Sequence, residues 1–180
     1  MLLRRFLSAN KRGVIQRTMH TKIIQELLSQ EDSEEAIQRI TSIAKNKDTS
    51  QKHLLIKLLE TTDDHELRNQ AAIALSELGD DRAVEPLIQA IMDPGTSGSR
   101  GTFLFALENL DYILHIEHII PFIGDTSLEV CAQSFMLLEQ LKDRLSDEQI
   151  LTCEQVIEHQ IKHNERKLLV VALDMVQSWR

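Results

Sequence analysis

Residues 67–93 read LRNQAAIALSELGDDRAVEPLIQAIMD, and residues 99–125 read SRGTFLFALENLDYILHIEHIIPFIGD. Set 32 positions apart, they place Arg68 on Arg100, Ala74 on Ala106, Leu75 on Leu107, Leu78 on Leu110 and Asp93 on Asp125. Leu87, Ile88 and Ile91 then fall on Ile119, Ile120 and Ile123. Run backwards, the same offset puts Leu55, Ile56 and Leu59 under Leu87, Ile88 and Ile91, and Ile43 under Leu75. Run forwards at 31, FALENL (105–110) meets MLLEQL (136–141). A self-similarity of this length is the mark of a repeat architecture.

Each unit reads as two helices. Ala71, Ala74, Leu75 and Leu78 recur at i, i+3, i+4 and i+7, the spacing of one helical face, and Val84, Leu87, Ile88 and Ile91 do the same. Between them, in Gly79-Asp80-Asp81, glycine suits a left-handed helix end and aspartate suits the cap of the next helix. Asp63 with Glu66, Thr126 with Glu129 and Ser146 with Gln149 have capping-box spacing. The expected pairs span residues 33–60, 63–93, 97–124 and 126–163, with flanking helices at 20–30 and 165–178. One pair cannot bury its apolar stripe alone, so the fold class is all-α, an α-solenoid of about four stacked pairs over residues 20–180. Pro121 should kink or end the helix that holds it, and the Gly/Ser-rich stretch at 93–99 is the expected hinge.

The second unit resembles a HEAT repeat of the short bacterial subtype named after phycobilisome lyases. The resemblance rests on Arg68, Ala71, Ala72, Ala74, Leu75, Leu78, Gly79, Asp81, Pro86, Leu87 and Asp93. The third unit keeps Arg100, Ala106, Leu107, Leu110 and Asp125 but lacks the glycine and the early proline. The first and fourth match in apolar spacing. The resemblance implies a scaffold that holds a partner in a concave groove lined by the second helices. Smaller branches of the family imply phycobilin attachment or excision of alkylated DNA bases. Fold likeness does not choose among these.

The 180 residues are 42% hydrophobic and 27% charged, with six glycines and three prolines, a composition that suits a packed domain rather than a disordered chain. Twenty basic against 28 acidic side chains give a net charge of −8. The charge is uneven. Residues 1–23 hold Arg4, Arg5, Lys11, Arg12, Arg17 and Lys22 and no acid, whereas residues 101–161 hold 11 acids against Lys142 and Arg144. An acidic body argues against a general electrostatic grip on nucleic acid, including the DNA-repair reading. It suits a basic protein partner, and it equally suits a solvated face that keeps the domain soluble. The basic stretch, 1–19 as a separate extension, admits three readings: a packed or membrane-surface helix, a transit peptide, or residues ahead of a true start at Met19.

Little else carries chemistry. Cys131 and Cys153 lie 22 residues apart among apolar residues, so buried thiols in a reducing, cytoplasmic setting are expected rather than a disulfide or zinc site. The organelle is the alternative setting if 1–19 is a transit peptide. His115 with His118 and His159 with His163 have spacings that let two imidazoles meet, but two ligands do not make a metal site. GTSGS at 95–99 lacks the lysine and the preceding strand of a phosphate loop. No catalytic, cofactor-binding or metal residue is assigned, and the expected cofactor is none. The expected function is a non-enzymatic, bacterial, cytoplasmic protein-binding module. The alternatives are a phycobilin-lyase-like enzyme or subunit and an immunity protein for a basic toxin. Candidate partner-binding residues are the outward positions of the second helices: Glu85 and Gln89, Glu117 and His118, Glu148 and Gln155. Trp179 is expected to seal the terminal core.

Overall fold

The computed structural model describes residues 33–180, so the expected extension at 1–19 and helix at 20–30 lie outside the described residues. The regular structure of the described residues is all helical, with no strand among them. The described residues divide into two compact units, one ending at Leu78 and the other Gly79–Arg180.

In the first unit, α1 (Ser33–Lys45), α2 (Lys52–Thr61) and α3 (His65–Leu78) pack together, with α3 against both others. Leu67, Ala71, Ala72, Ala74, Leu75 and Leu78 of α3 are all buried. Two packing partners need two buried faces, and the alanines let the neighbouring backbones come close. The cap of α3 is Asp64, one residue later than the expected Asp63. Its Oδ1 accepts from the N–H groups of Glu66 and Leu67 at 2.9 and 3.0 Å, and its Oδ2 accepts from Ser33 Oγ at 2.6 Å.

In the second unit, α4 (Val84–Met92) and α5 (Arg100–Leu107) pack together. Then come α6 (Ile116–Ile119), α7 (Leu128–Glu139), α8 (Asp147–His163) and α9 (Lys167–Gln177). Helix α5 packs on α7, and α6 lies against both α4 and α8. Within this unit the first and second helices therefore stack in repeat order, the arrangement from which an α-solenoid is built. Helix α6 has only four residues, because a 3₁₀ segment Ile120–Gly124 takes over at Pro121, as the missing N–H requires. The capping box of Ser146 and Gln149 is present. For α7 the cap is Ser127 rather than the expected Thr126, while Asp125 Oδ1 accepts from Ser127 N at 2.8 Å.

The expected hinge at 93–99 is an ordered turn instead. Pro94–Ser99 forms a 3₁₀ helix capped by Asp93, with Thr96 and Ser99 buried. Arg100 Nε bonds back to the Ile91 carbonyl at 2.8 Å. The division between compact units falls at Gly79, not here. Trp179 is half-buried at the end of the chain.

The repeat is visible in the backbone as well as in the side chains. Lys47 and Gly79, 32 positions apart, are the residues with positive φ among the described ones, at 52° and 60°. Each is followed by an aspartate that caps a 3₁₀ turn, Asp48 onto Ser50 N and Asp80 onto Arg82 N. A Cβ at Gly79 would meet nothing within 4 Å, so the left-handed backbone is the whole reason for glycine there. Gly79→Ala should cost about 1 kcal/mol, and Gly79→Asn less, measured by urea unfolding.

Asp64 makes a second prediction. The Ser33 hydroxyl, followed by the Leu67 N–H, holds its carboxyl below the usual range. A carboxylate depressed in the folded state stabilises above its unfolded pKa and loses that contribution as pH falls through the folded value. Asp64→Ala should therefore cost about 1 kcal/mol near neutral pH. The gap to wild type should close as pH drops below about 3.9, read from unfolding midpoints against pH.

Candidate functional site

The six candidate side chains all belong to the second unit, on α4, α6 and α8. Helix α4 starts after a 3₁₀ turn opened by Asp80, and Pro86 sits in its first turn, where its missing N–H costs no intrahelical bond. Val84, Leu87, Ile88 and Ile91 face inward, which leaves Glu85 and Gln89 outside, four residues apart and bonded at 3.0 Å. Ile116 and Ile119 of α6 are buried, and Glu117 and His118 are exposed. On α8, Ile150, Cys153, Glu154 and Ile157 are buried, and Glu148 and Gln155 are exposed.

Helix α6 lies between α4 and α8, and of these positions Glu85, Glu117 and Glu148 are repeat equivalents. Glu117 stands 32 positions after Glu85, so the repeat puts a carboxylate at the same place on successive second helices. His115 Nδ1 lies 3.8 Å from Glu85 Oε2, and His118 Nδ1 lies 4.0 Å from Glu117 Oε1. The two imidazole centroids are 6.2 Å apart. Glu117 and Glu148 come together at one cleft of about 200 Å³. Its apolar wall is Ile113, Leu114 and Ile116, and Gln149 and Thr152 complete it. Glu85, Gln89, His118 and Gln155 do not line the cleft.

The cleft wall was not legible as a site in the sequence. Apolar residues at 113, 114 and 116 look like core, yet three in four positions cannot all face one core. Leu114 is the one left outside, at 78% exposure. Its position is set by the neighbouring Tyr112, whose ring is buried. The Tyr112 hydroxyl donates to the Leu137 carbonyl at 2.8 Å and lies 3.0 Å from Gln140 Oε1. Burial pushes this phenol above its usual range, so it stays a neutral donor. The 113–115 turn is thereby pinned to α7. The backbone N–H of Asp111 donates to Asp81 at 2.9 Å, and the Asp111 carboxylate accepts from Arg144 at 2.6 Å. Two arginines of the nearby turns are thus occupied, Arg144 on Asp111 and Arg82 on Asp80 at 2.6 Å.

His159 and His163 meet at 5.0 Å between centroids on the exposed side of α8. Among the described residues no group of three or more His, Cys, Asp and Glu side chains could hold a metal ion. Glu154 is buried, with Arg180 at 2.5 Å from its Oε2, which ties the chain end to α8. Cys131 and Cys153 are both free and buried, and the Cys131 thiol reaches the Ile123 carbonyl at 3.0 Å. Burial raises the Cys131 thiol and pushes Cys153 up to about 11. At pH 8 a thiol with that pKa is ionised in about one molecule in a thousand. Ellman's reagent should therefore leave both thiols unreacted in the native protein and titrate both in denaturant. Rapid native labelling of Cys153 would contradict its placement.

A family model of HEAT repeats matches residues 21–108. The match covers the first two expected pairs and α5, and it carries the repeat rather than the lyase subtype. Helical pairing continues past its end, through α6 to α9. No curated protein matches the chain at a significant level. Among the described residues no helix is long and apolar enough to cross a membrane.

Proposed function

This chain is a HEAT-repeat protein, matched over residues 21–108, and from that premise we propose that it is a protein-interaction module with no enzymatic role of its own. HEAT repeats are in general protein-interaction modules. The observation that carries the reading is the row of exposed acids on successive second helices, Glu85, Glu117 and Glu148, with Gln89, His118 and Gln155 beside them. Carboxylates repeated at one face complement a basic partner and steer its approach. An immunity role against a basic toxin is the same contact with a more closely defined partner. The cleft beside Glu117 and Glu148, at about 200 Å³, is smaller than the roughly 300–1,000 Å³ of small-molecule sites. A protein surface is therefore a better match to this face than a bilin. Free, buried thiols fit a reducing compartment, and the cytoplasm is the setting we assign.

Affinity purification of the tagged full chain from its own cells tests this. Wild type should recover a protein, and the triple variant Glu85→Lys, Glu117→Lys, Glu148→Lys should lose it while keeping its helical circular dichroism. Raising salt from about 0.1 M to about 0.5 M should weaken the wild-type complex, because exposed charges are screened. Recovery of a bound small molecule with no protein partner would overturn the reading.

A further inference from the structure

The cleft on this face has a narrower chemistry than the face as a whole. Two of its polar side chains are partly engaged within the protein. Gln149 Oε1 accepts from Ser146 N at 3.0 Å, and Thr152 Oγ1 donates to the Glu148 carbonyl at 3.0 Å. What remains for a ligand is the carboxylate of Glu117, the carboxylate of Glu148, the side-chain NH₂ of Gln149, and aliphatic surface that includes the exposed Leu114. Carboxylates only accept. No cation lines the cleft, and Glu117 has the exposed His118 beside it at 4.0 Å. A complementary occupant must bring donors, positive charge and an apolar group within a space of about 200 Å³.

We propose that this cleft is the anchor of the partner contact and takes an arginine beside an aliphatic residue, both from one segment of the partner protein. The inference rests on the interaction-module reading above. The guanidinium is placed against Glu117 and Glu148, since its planar fork of five donors can serve two carboxylates where an ammonium acts as a point charge. The aliphatic neighbour covers Leu114 and Ile113, removing from water one of the large apolar side chains that the fold leaves exposed. On this view Glu117, Glu148 and Leu114 set specificity, while Glu85, Gln89 and Gln155 contribute approach and orientation.

The test uses the full chain, labelled with ¹⁵N and titrated at low salt with the dipeptide Ac-Leu-Arg-NH₂. Amide shifts that saturate and cluster at residues 113–117 and 147–152 are expected. Glu148→Gln should weaken this binding about two- to fivefold, the range for an exposed ion pair. Leu114→Ser should weaken it by a similar factor, and Ac-Leu-Glu-NH₂ should produce no clustered shift. Absence of saturable shifts there, or equal binding of Ac-Gly-Arg-NH₂ and Ac-Leu-Arg-NH₂, would overturn the proposal. Leu114 is exposed, so the serine variant should keep the wild-type fold, checked by its unshifted amides elsewhere. Affinity purification with Leu114→Ser separates the two readings. Full retention of the partner sinks the cleft and leaves the module, and a wild-type chain that captures no protein sinks both.

Discussion

A two-helix unit with an apolar stripe on each helix cannot bury both stripes by itself, and the arrangement of the second unit follows from that. Val84, Leu87, Ile88 and Ile91 of α4 are buried where α4 packs on α5 and α6. Ile150, Cys153 and Ile157 of α8 are buried where α8 packs on α6 and α9. Once burial fixes the rotation of each second helix, its outward positions are fixed too. Glu85 and Glu117 then share a register because they share a place in the repeat. The acidic row is thus a consequence of stacking, with His115 set 3.8 Å from Glu85.

The cleft arises where the repeat departs from its own pattern. Asp48 and Asp80 cap their turns one repeat apart, and the next place in the series is occupied by Tyr112. That exchange removes a side-chain cap and supplies a buried ring with a hydroxyl anchored to α7. Pro121 likewise stands one repeat after Gln89, in mid-helix, and α6 ends at Ile119 where α4 runs to Met92. The cleft itself lies at the other end of α6, between the 113–116 turn and the start of α8. Local rules broken together at one place mark it out from the regular repeat around it.

How much of this was legible beforehand depends on which force acts. The stripes, the 32-residue period and the helix pairs are statements about burial, and burial leaves a periodic trace. Caps were read one residue off at Asp64 and Ser127, because in Asp63-Asp64 and Thr126-Ser127 both neighbours can cap. Only the backbone trajectory decides between them. Composition predicts a hinge at 93–99, where the structure holds an ordered turn. Its order comes from the Asp93 cap, buried Thr96 and the reach of Arg100 to Ile91, none of which periodicity encodes. Leu114 was hidden for the opposite reason, since an aliphatic residue next to a stripe reads as core until the helix rotation is known.

If the acidic face is the contact proposed above, charge decides where on it recognition would concentrate. The net −8 averages a stretch with six cations and no acid in residues 1–23 with a strongly acidic remainder. Packed helices lie about 8–10 Å apart, and the Debye length at physiological salt is about 8 Å. Carboxylates on successive second helices are therefore spaced near the screening length, and each acts largely alone on a ligand at its own helix. In the proposed contact the row as a whole would speed the encounter at low salt more than it would hold the complex at physiological salt. Glu117 and Glu148 differ because they line one cleft, where the proposed arginine would be offered both. Strength of binding should thus come from that pair and the exposed leucine beside it, while Glu85 shapes the path by which a basic partner arrives.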